Sequence, residues 1–125
     1  MRFLFVLMMF FTFSSDAYAL KNENLYKWCK AYTDSGFEVS SSNSMCLAYV
    51  AGIRDLSQGI CLALNNTADT SRTADVMKKF FAVSLSETST DSIIQHYVNE
   101  MRQSPQDWDQ NAASYVVEAI SAFAP

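Results

Sequence analysis

The chain has 125 residues, half of them hydrophobic, with nine Lys and Arg against thirteen Asp and Glu and a formal charge of −4. This length sets one domain as the expectation, and an acidic balance with no basic run excludes nucleic acid, whose phosphates need clustered Lys and Arg. It equally excludes docking on anionic lipid, and it suits a basic protein partner without requiring one.

Residues 1–19 read as an export signal rather than as part of the fold. Arg2 supplies the positive start, Phe3 to Phe13 the apolar stretch, and Ala17-Tyr18-Ala19 the small-x-small site at which a signal peptidase cuts. The apolar stretch is shorter than the roughly 20 residues that span a bilayer, and no later run approaches that length. No cysteine sits at the cut, so no stable membrane anchor is expected. A single domain over residues 20–125, soluble and outside the cytoplasm, is then the expected mature protein. It loses Arg2 and Asp16 together and keeps the charge of −4. A domain of this size buries roughly two thirds of the surface its unfolded chain exposes, enough for a core of its own.

Four segments repeat apolar residues at the spacing of one helix face. The first carries Leu25, Trp28, Cys29 and Tyr32, with Asn22 as N-cap. The second carries Cys46, Tyr49, Val50 and Ile53, runs on through Leu56 and Ile60, and is capped near Asn43 or Ser44. The third carries Ile94, Tyr97, Val98 and Met101 behind Ser89 or Thr90, and the fourth Ala113, Val116, Val117 and Ile120. A short extra helix is expected over Asp75 to Phe81, and Phe81 to Leu85 is the one strand candidate. The fold class is all-α, a small bundle of four main helices with that short addition.

Between the helices, Asp34-Ser35-Gly36 and the serine-rich run to Ser44 form a polar link, and Asn65 to Thr73 a polar loop. Gly52 and Gly59 lie on one side of the second helix, where each costs about 1 kcal/mol. They point to close approach of a neighbouring backbone or to a local kink. Ser104-Pro105-Gln106-Asp107 places a proline at a first helical position ahead of an acid, a turn or an extra helical turn leading into the fourth helix.

Three cysteines in an oxidising compartment leave one over. Cys46 and Cys61 share a helix and stand about 22 Å apart at about 1.5 Å per residue, far beyond the roughly 4.4–6.8 Å that a disulfide spans between Cα atoms. Cys29 and Cys46 lie near the facing ends of consecutive helices and form the expected disulfide. Cys61 is then expected as a buried core thiol, with an intermolecular disulfide as the alternative.

The inventory disfavours an enzyme. His96 is the single histidine, on the flank of the third apolar stripe, where a half-buried structural role is expected. Asp107 and Asp109 flank Trp108 but lack the further ligands that a metal needs, and no calcium-loop or phosphate motif surrounds them. No cofactor and no metal are expected. Trp108 falls outside every apolar stripe. Its ring is either an anchor for a partner protein or a plug over the end of the bundle, whereas Trp28, beside Cys29, is expected to pack.

The order of these features resembles the Rap/Tai immunity proteins of bacterial type VI secretion. The resemblance rests on Leu25-x-x-Trp28-Cys29, on Cys46-Leu47-Ala48-Tyr49-Val50-Ala51-Gly52-Ile53-Arg54-Asp55, on Ile93 to Val98, on the Ser104-Pro105 turn and on Glu118 to Phe123. The chain departs from the family in several places, among them a longer segment from Leu62 to Ser89. A Cys-Leu-Pro segment that many members carry is replaced by Phe81-Ala82-Val83-Ser84-Leu85, and a cysteine near the C-terminus is absent, while Cys61 is extra.

The resemblance implies a small periplasmic helical protein that neutralises a peptidoglycan-cleaving amidase injected by kin cells. Occlusion of the toxin's groove by a rigid loop would need no chemistry from the inhibitor. Gln103, Ser104, Pro105, Gln106, Asp107, Trp108 and Asp109 form the expected contact loop, its proline limiting flexibility and its aspartates suiting a basic groove. Members often dimerise, and the Gly52/Gly59 face is the seam considered. The runner-up function is a periplasmic acid-stress chaperone, which would expose apolar surface on acidification.

Overall fold

Leu25, Cys29 and Tyr32 recur on one face of the first helix and are buried, as the spacing of the apolar residues predicts, while Tyr26 joins them and Trp28 is only half-buried. The computed structural model describes residues 19–66, 71–72 and 88–123. They form α1 (Asn22–Asp34), α2 (Ser44–Asn65), α3 (Thr90–Gln103), a 3-10 turn (Pro105–Asp107) and α4 (Ala112–Ser121). The described residues contain no strand beyond an isolated bridge between Lys21 and Asn111. The all-α, four-helix expectation holds. Residues 1–18 of the export signal, the extra helix over Asp75 to Phe81 and the strand candidate Phe81 to Leu85 lie outside the described residues.

The core forms where α1, α2, α3 and α4 meet. Cys46 and Val50 enter it from α2, and Ile93, Ile94, Tyr97, Val98 and Met101 from α3. On α4 the buried stripe is Ala112, Val116, Ala119 and Ile120. Val116 and Ile120 were expected there, but Ala113 and Val117 are half-buried instead, so the face that meets the core is centred on Val116 and Ile120 and takes Ala112 and Ala119 with them. Trp28 packs half-buried against the cluster.

Cys29 and Cys46 form the expected disulfide between α1 and α2, with Cα atoms 4.9 Å apart. Both cysteines are completely buried. Cys61 stands outside that bond and is half-buried rather than fully enclosed.

The helix starts divide into two kinds. Ser89 caps α3 by accepting a hydrogen bond from the Ser92 backbone N–H, and Asn111 caps α4 by accepting one from Ala113. The start of α1 departs from expectation: Lys21 occupies the cap position without a side-chain bond, and Asn22 is the first helical residue. Asn22 is released from capping because backbone carbonyls already serve the helix start. The Asn22 N–H donates to the Gln110 carbonyl (2.9 Å) and the Glu23 N–H to the Trp108 carbonyl (2.8 Å). Asn43, expected to cap α2, instead braces the preceding link. Its side chain accepts from the Ser40 N–H and donates to the Glu38 carbonyl.

Gly52 and Gly59 require a correction. A Cβ built at either would meet nothing within 4 Å among the described residues, so no described neighbouring backbone approaches them. Both are exposed, on the outer side of α2. Met45, Leu56 and Leu62, on the same helix, are also largely exposed.

Candidate partner-binding surface

The loop from Gln103 to Asp109 leaves α3, makes one 3-10 turn over Pro105–Asp107 and reaches α4. Proline opens that turn, as its fixed φ and missing N–H favour. Gln103, Pro105, Gln106 and Asp109 are exposed, whereas Ser104, Asp107 and Trp108 are half-buried. The loop therefore presents its amides, its proline ring and one carboxylate outward.

Trp108 holds the loop from beneath. Its indole N–H donates to the Met101 carbonyl at 2.8 Å, and its ring lies 5.1 Å from that of Tyr26, tilted by 33°. The indole thus ties the loop to α1 and to the last turn of α3.

Asn22 supplies a second tie that no sequence pattern announced. It is completely buried. Its side-chain N–H donates to the Asp107 carbonyl at 3.0 Å, and its Oδ1 accepts from the Tyr97 hydroxyl at 2.8 Å. One asparagine thereby joins α1, α3 and the 3-10 turn. The adjoining backbone pairs as well, with the Ala112 N–H donating to the Leu20 carbonyl at 2.8 Å. The sequence did place an asparagine at the head of α1, which is compatible with a cap and with a buried hub alike.

A hollow of about 560 Å³ opens beside the loop, between α3 and α4. Glu100, Ser104, Asp107, Tyr115 and Glu118 line it, with His96 at one end. The Tyr115 phenol is held above its ordinary range, first by desolvation, then by the charge of Asp107 and a hydrogen bond to it, and by Glu118 and Asp109. His96 is half-buried, edge-on to Phe123 at 5.6 Å. Sequence reasoning missed Glu100, Tyr115 and Glu118, because each is an isolated polar or aromatic residue on the flank of an apolar stripe.

Among the described residues, no group of three or more His, Cys, Asp or Glu lies close enough to hold a metal ion. No helix among them is long and apolar enough to cross a membrane.

A protein-family model described as Rap1a immunity proteins matches residues 21–125. The chain belongs to the Rap1a immunity family. The match covers every described helix, including the disulfide pair and the loop after α3. No curated protein and no solved structure matches the chain. A Rap1a protein is an immunity protein, so the surface that matters is one that meets another protein.

Proposed function

We propose that this Rap1a protein is exported to the periplasm and there binds and inhibits one peptidoglycan-cleaving amidase effector of type VI secretion. Family membership over residues 21–125 is the observation that carries the reading. The match begins two positions after the expected signal cleavage at Ala19, which supports export. The Cys29–Cys46 disulfide supports an oxidising compartment.

In this reading the loop of Gln103, Ser104, Pro105, Gln106, Asp107, Trp108 and Asp109 enters the amidase groove and occludes it without chemistry. Its exposed residues offer hydrogen bonds and one negative charge, and its ties to Asn22, Tyr26 and Met101 support a loop ordered before binding. An ordered loop loses less entropy on association. Tight inhibition buries about 800 Å² on each partner, so flanking surfaces of α3 and α4 contribute as well.

The same reading includes a homodimer through α2. Glycine at Gly52 and Gly59 costs helix stability with no compensating contact among the described residues. A second copy against the exposed Met45, Leu56 and Leu62 would supply that contact. Sedimentation of the purified protein, with Gly52→Glu as the blocking variant, tests the seam: a wild-type monomer at micromolar concentration would contradict it.

The function itself is tested by adding purified protein to candidate amidases and measuring peptidoglycan cleavage. Replacing both Gln106 and Asp109 by Arg is expected to weaken inhibition at least tenfold, about 1.4 kcal/mol, without shifting the melting temperature. Unchanged inhibition would remove this loop as the main contact.

A further inference from the structure

The first residues after the expected signal cleavage are bonded to the loop proposed as the contact and to its exit into α4. The Glu23 N–H donates to the Trp108 carbonyl (2.8 Å), the Asn22 N–H to the Gln110 carbonyl (2.9 Å), and the Ala112 N–H to the Leu20 carbonyl (2.8 Å). Lys21 faces Asn111 in the antiparallel bridge, and the Asn22 side chain donates to the Asp107 carbonyl at 3.0 Å. This register leads the chain outward at the exposed Ala19, beside the start of α4. Consecutive Cα atoms are about 3.8 Å apart, so Leu20 lies within about 8 Å of Asn22, which itself touches the loop at Asp107. A contact area of about 800 Å² is a disc of roughly 16 Å radius. Centred on the loop, such a footprint takes in the bond between Ala19 and Leu20.

We propose that cleavage of that bond switches partner binding on: while residues 1–19 remain attached, the contact surface is closed to a folded partner. The statement rests on the inhibitor reading above and on the export signal read from the sequence. The apolar stretch Phe3 to Phe13 holds to a bilayer without spanning it, since burial of one Leu or Phe side chain contributes about 1.5–3 kcal/mol. Six residues, Ser14 to Ala19, connect that stretch to the fold. Fully extended, they reach about 20 Å at roughly 3.3–3.6 Å each. That is less than the roughly 30 Å diameter of a small domain. A partner of such size cannot enter between the bilayer and a footprint that contains the attachment point. Cleavage removes the leash and leaves in place the backbone bonds of Leu20, Asn22 and Glu23 to the loop. Only the processed, released protein then inhibits.

The test compares three forms in the presence of neutral phospholipid vesicles. They are the full chain blocked against cleavage by Ala17→Leu/Ala19→Leu, the same chain with a long flexible Gly/Ser linker inserted after residue 19, and the protein from Leu20 to Pro125. The probe is a maleimide joined to a bulky polyethylene glycol, used in a Cys61→Ser background. It reads Gln106→Cys on the loop and, as the control, Glu38→Cys in the link between α1 and α2, both exposed positions. In the blocked chain Gln106→Cys is expected to react at least tenfold more slowly than in the processed protein, with Glu38→Cys unchanged and the long linker restoring the rate. Equal rates at Gln106→Cys in the two chains, equal slowing at both positions, or no recovery with the linker would each overturn the proposal. With an inhibited amidase in hand, the vesicle-bound blocked chain is expected to bind it at least tenfold more weakly than the processed protein. Failure of the processed protein to inhibit any amidase, with the loop still closed in the blocked chain, would sink the amidase reading alone. Inhibition by blocked and processed chains alike would sink this inference alone.

Discussion

Tyr97 on α3 donates its phenolic hydrogen to Asn22 Oδ1, at the first residue of α1, across 2.8 Å. Both residues are essentially inaccessible to water, and Asn22 donates in turn to the Asp107 carbonyl. Removing one member of a buried pair strands its partner, which costs about 1–3 kcal/mol per stranded group. Asn22→Ala takes the 2.8 Å partner from the Tyr97 hydroxyl, leaving it the residue 22 backbone carbonyl at 3.4 Å, and removes one of two donors to the Asp107 carbonyl, which keeps the Gln110 N–H at 3.1 Å; it is expected to cost about 1–3 kcal/mol. Tyr97→Phe strands one oxygen and should cost about 1–2 kcal/mol. Urea unfolding of the two single variants and the double variant checks this; additive losses would show that the pair is not coupled.

The Cys29–Cys46 bond closes a loop between positions 17 apart. On the chain-entropy account such a loop stabilises the fold by about 3 kcal/mol. Reduction, or replacement of both cysteines by alanine, is expected to lower stability by that amount. Cys61→Ser should leave the bond intact, which peptide mapping under non-reducing conditions reads directly.

Trp108 carries a structural load in addition to its place in the proposed contact loop. Trp108→Ala removes the hydrogen bond to the Met101 carbonyl and the packing on Tyr26. Loss of about 2–3 kcal/mol is expected for a half-buried indole with a bonded N–H. Inhibition should fall at least tenfold, since the loop loses its seat. Trp108→Phe keeps most of the packing and separates the two effects: stability should recover further than binding if the indole also contacts the effector.

Gly52 and Gly59 lie in a helix with open space where a Cβ would stand. Alanine at either position should therefore stabilise the monomer by about 0.5–1 kcal/mol. If the seam on α2 forms, the same substitutions should raise the dimer dissociation constant. Thermal melts below and above the association range separate these opposite signs.

Burial raises the phenols of Tyr49 and Tyr97 above their ordinary range, and burial together with the hydrogen bond to Asp91 raises that of Tyr32. Unfolded tyrosine ionises near pH 10. A value raised in the folded state gives stability that is fully present below about pH 10 and lost as pH rises through the folded values. Unfolding free energy is expected to fall above about pH 10, and less steeply in Tyr97→Phe. An identical slope in that variant would contradict the burial of Tyr97 as its cause.

Much of this fold was legible because burial leaves a period in the sequence. Cys29 and Tyr32, or Tyr97 and Met101, mark their faces by spacing alone. The disulfide followed from helix geometry, since Cys46 and Cys61 on one rod cannot meet. The loop proposed as the contact stood out through Pro105 and Trp108, which fit no apolar stripe. What stayed hidden depends on tertiary placement. Asn22 looks like a cap until the Gln110 and Trp108 carbonyls are seen to serve the helix start. Glu100 and Glu118 come to line one hollow only when α3 and α4 pack side by side. Gly52 and Gly59 suggested a close neighbour or a local kink, and no described residue stands against them.

The most direct measurement is peptidoglycan cleavage by each type VI amidase encoded beside this chain, titrated with the protein from Leu20 to Pro125. The account predicts that one amidase is silenced at a fixed stoichiometry while its relatives stay active. Full activity of every amidase at excess inhibitor would contradict it and return the acid-stress chaperone reading to the front.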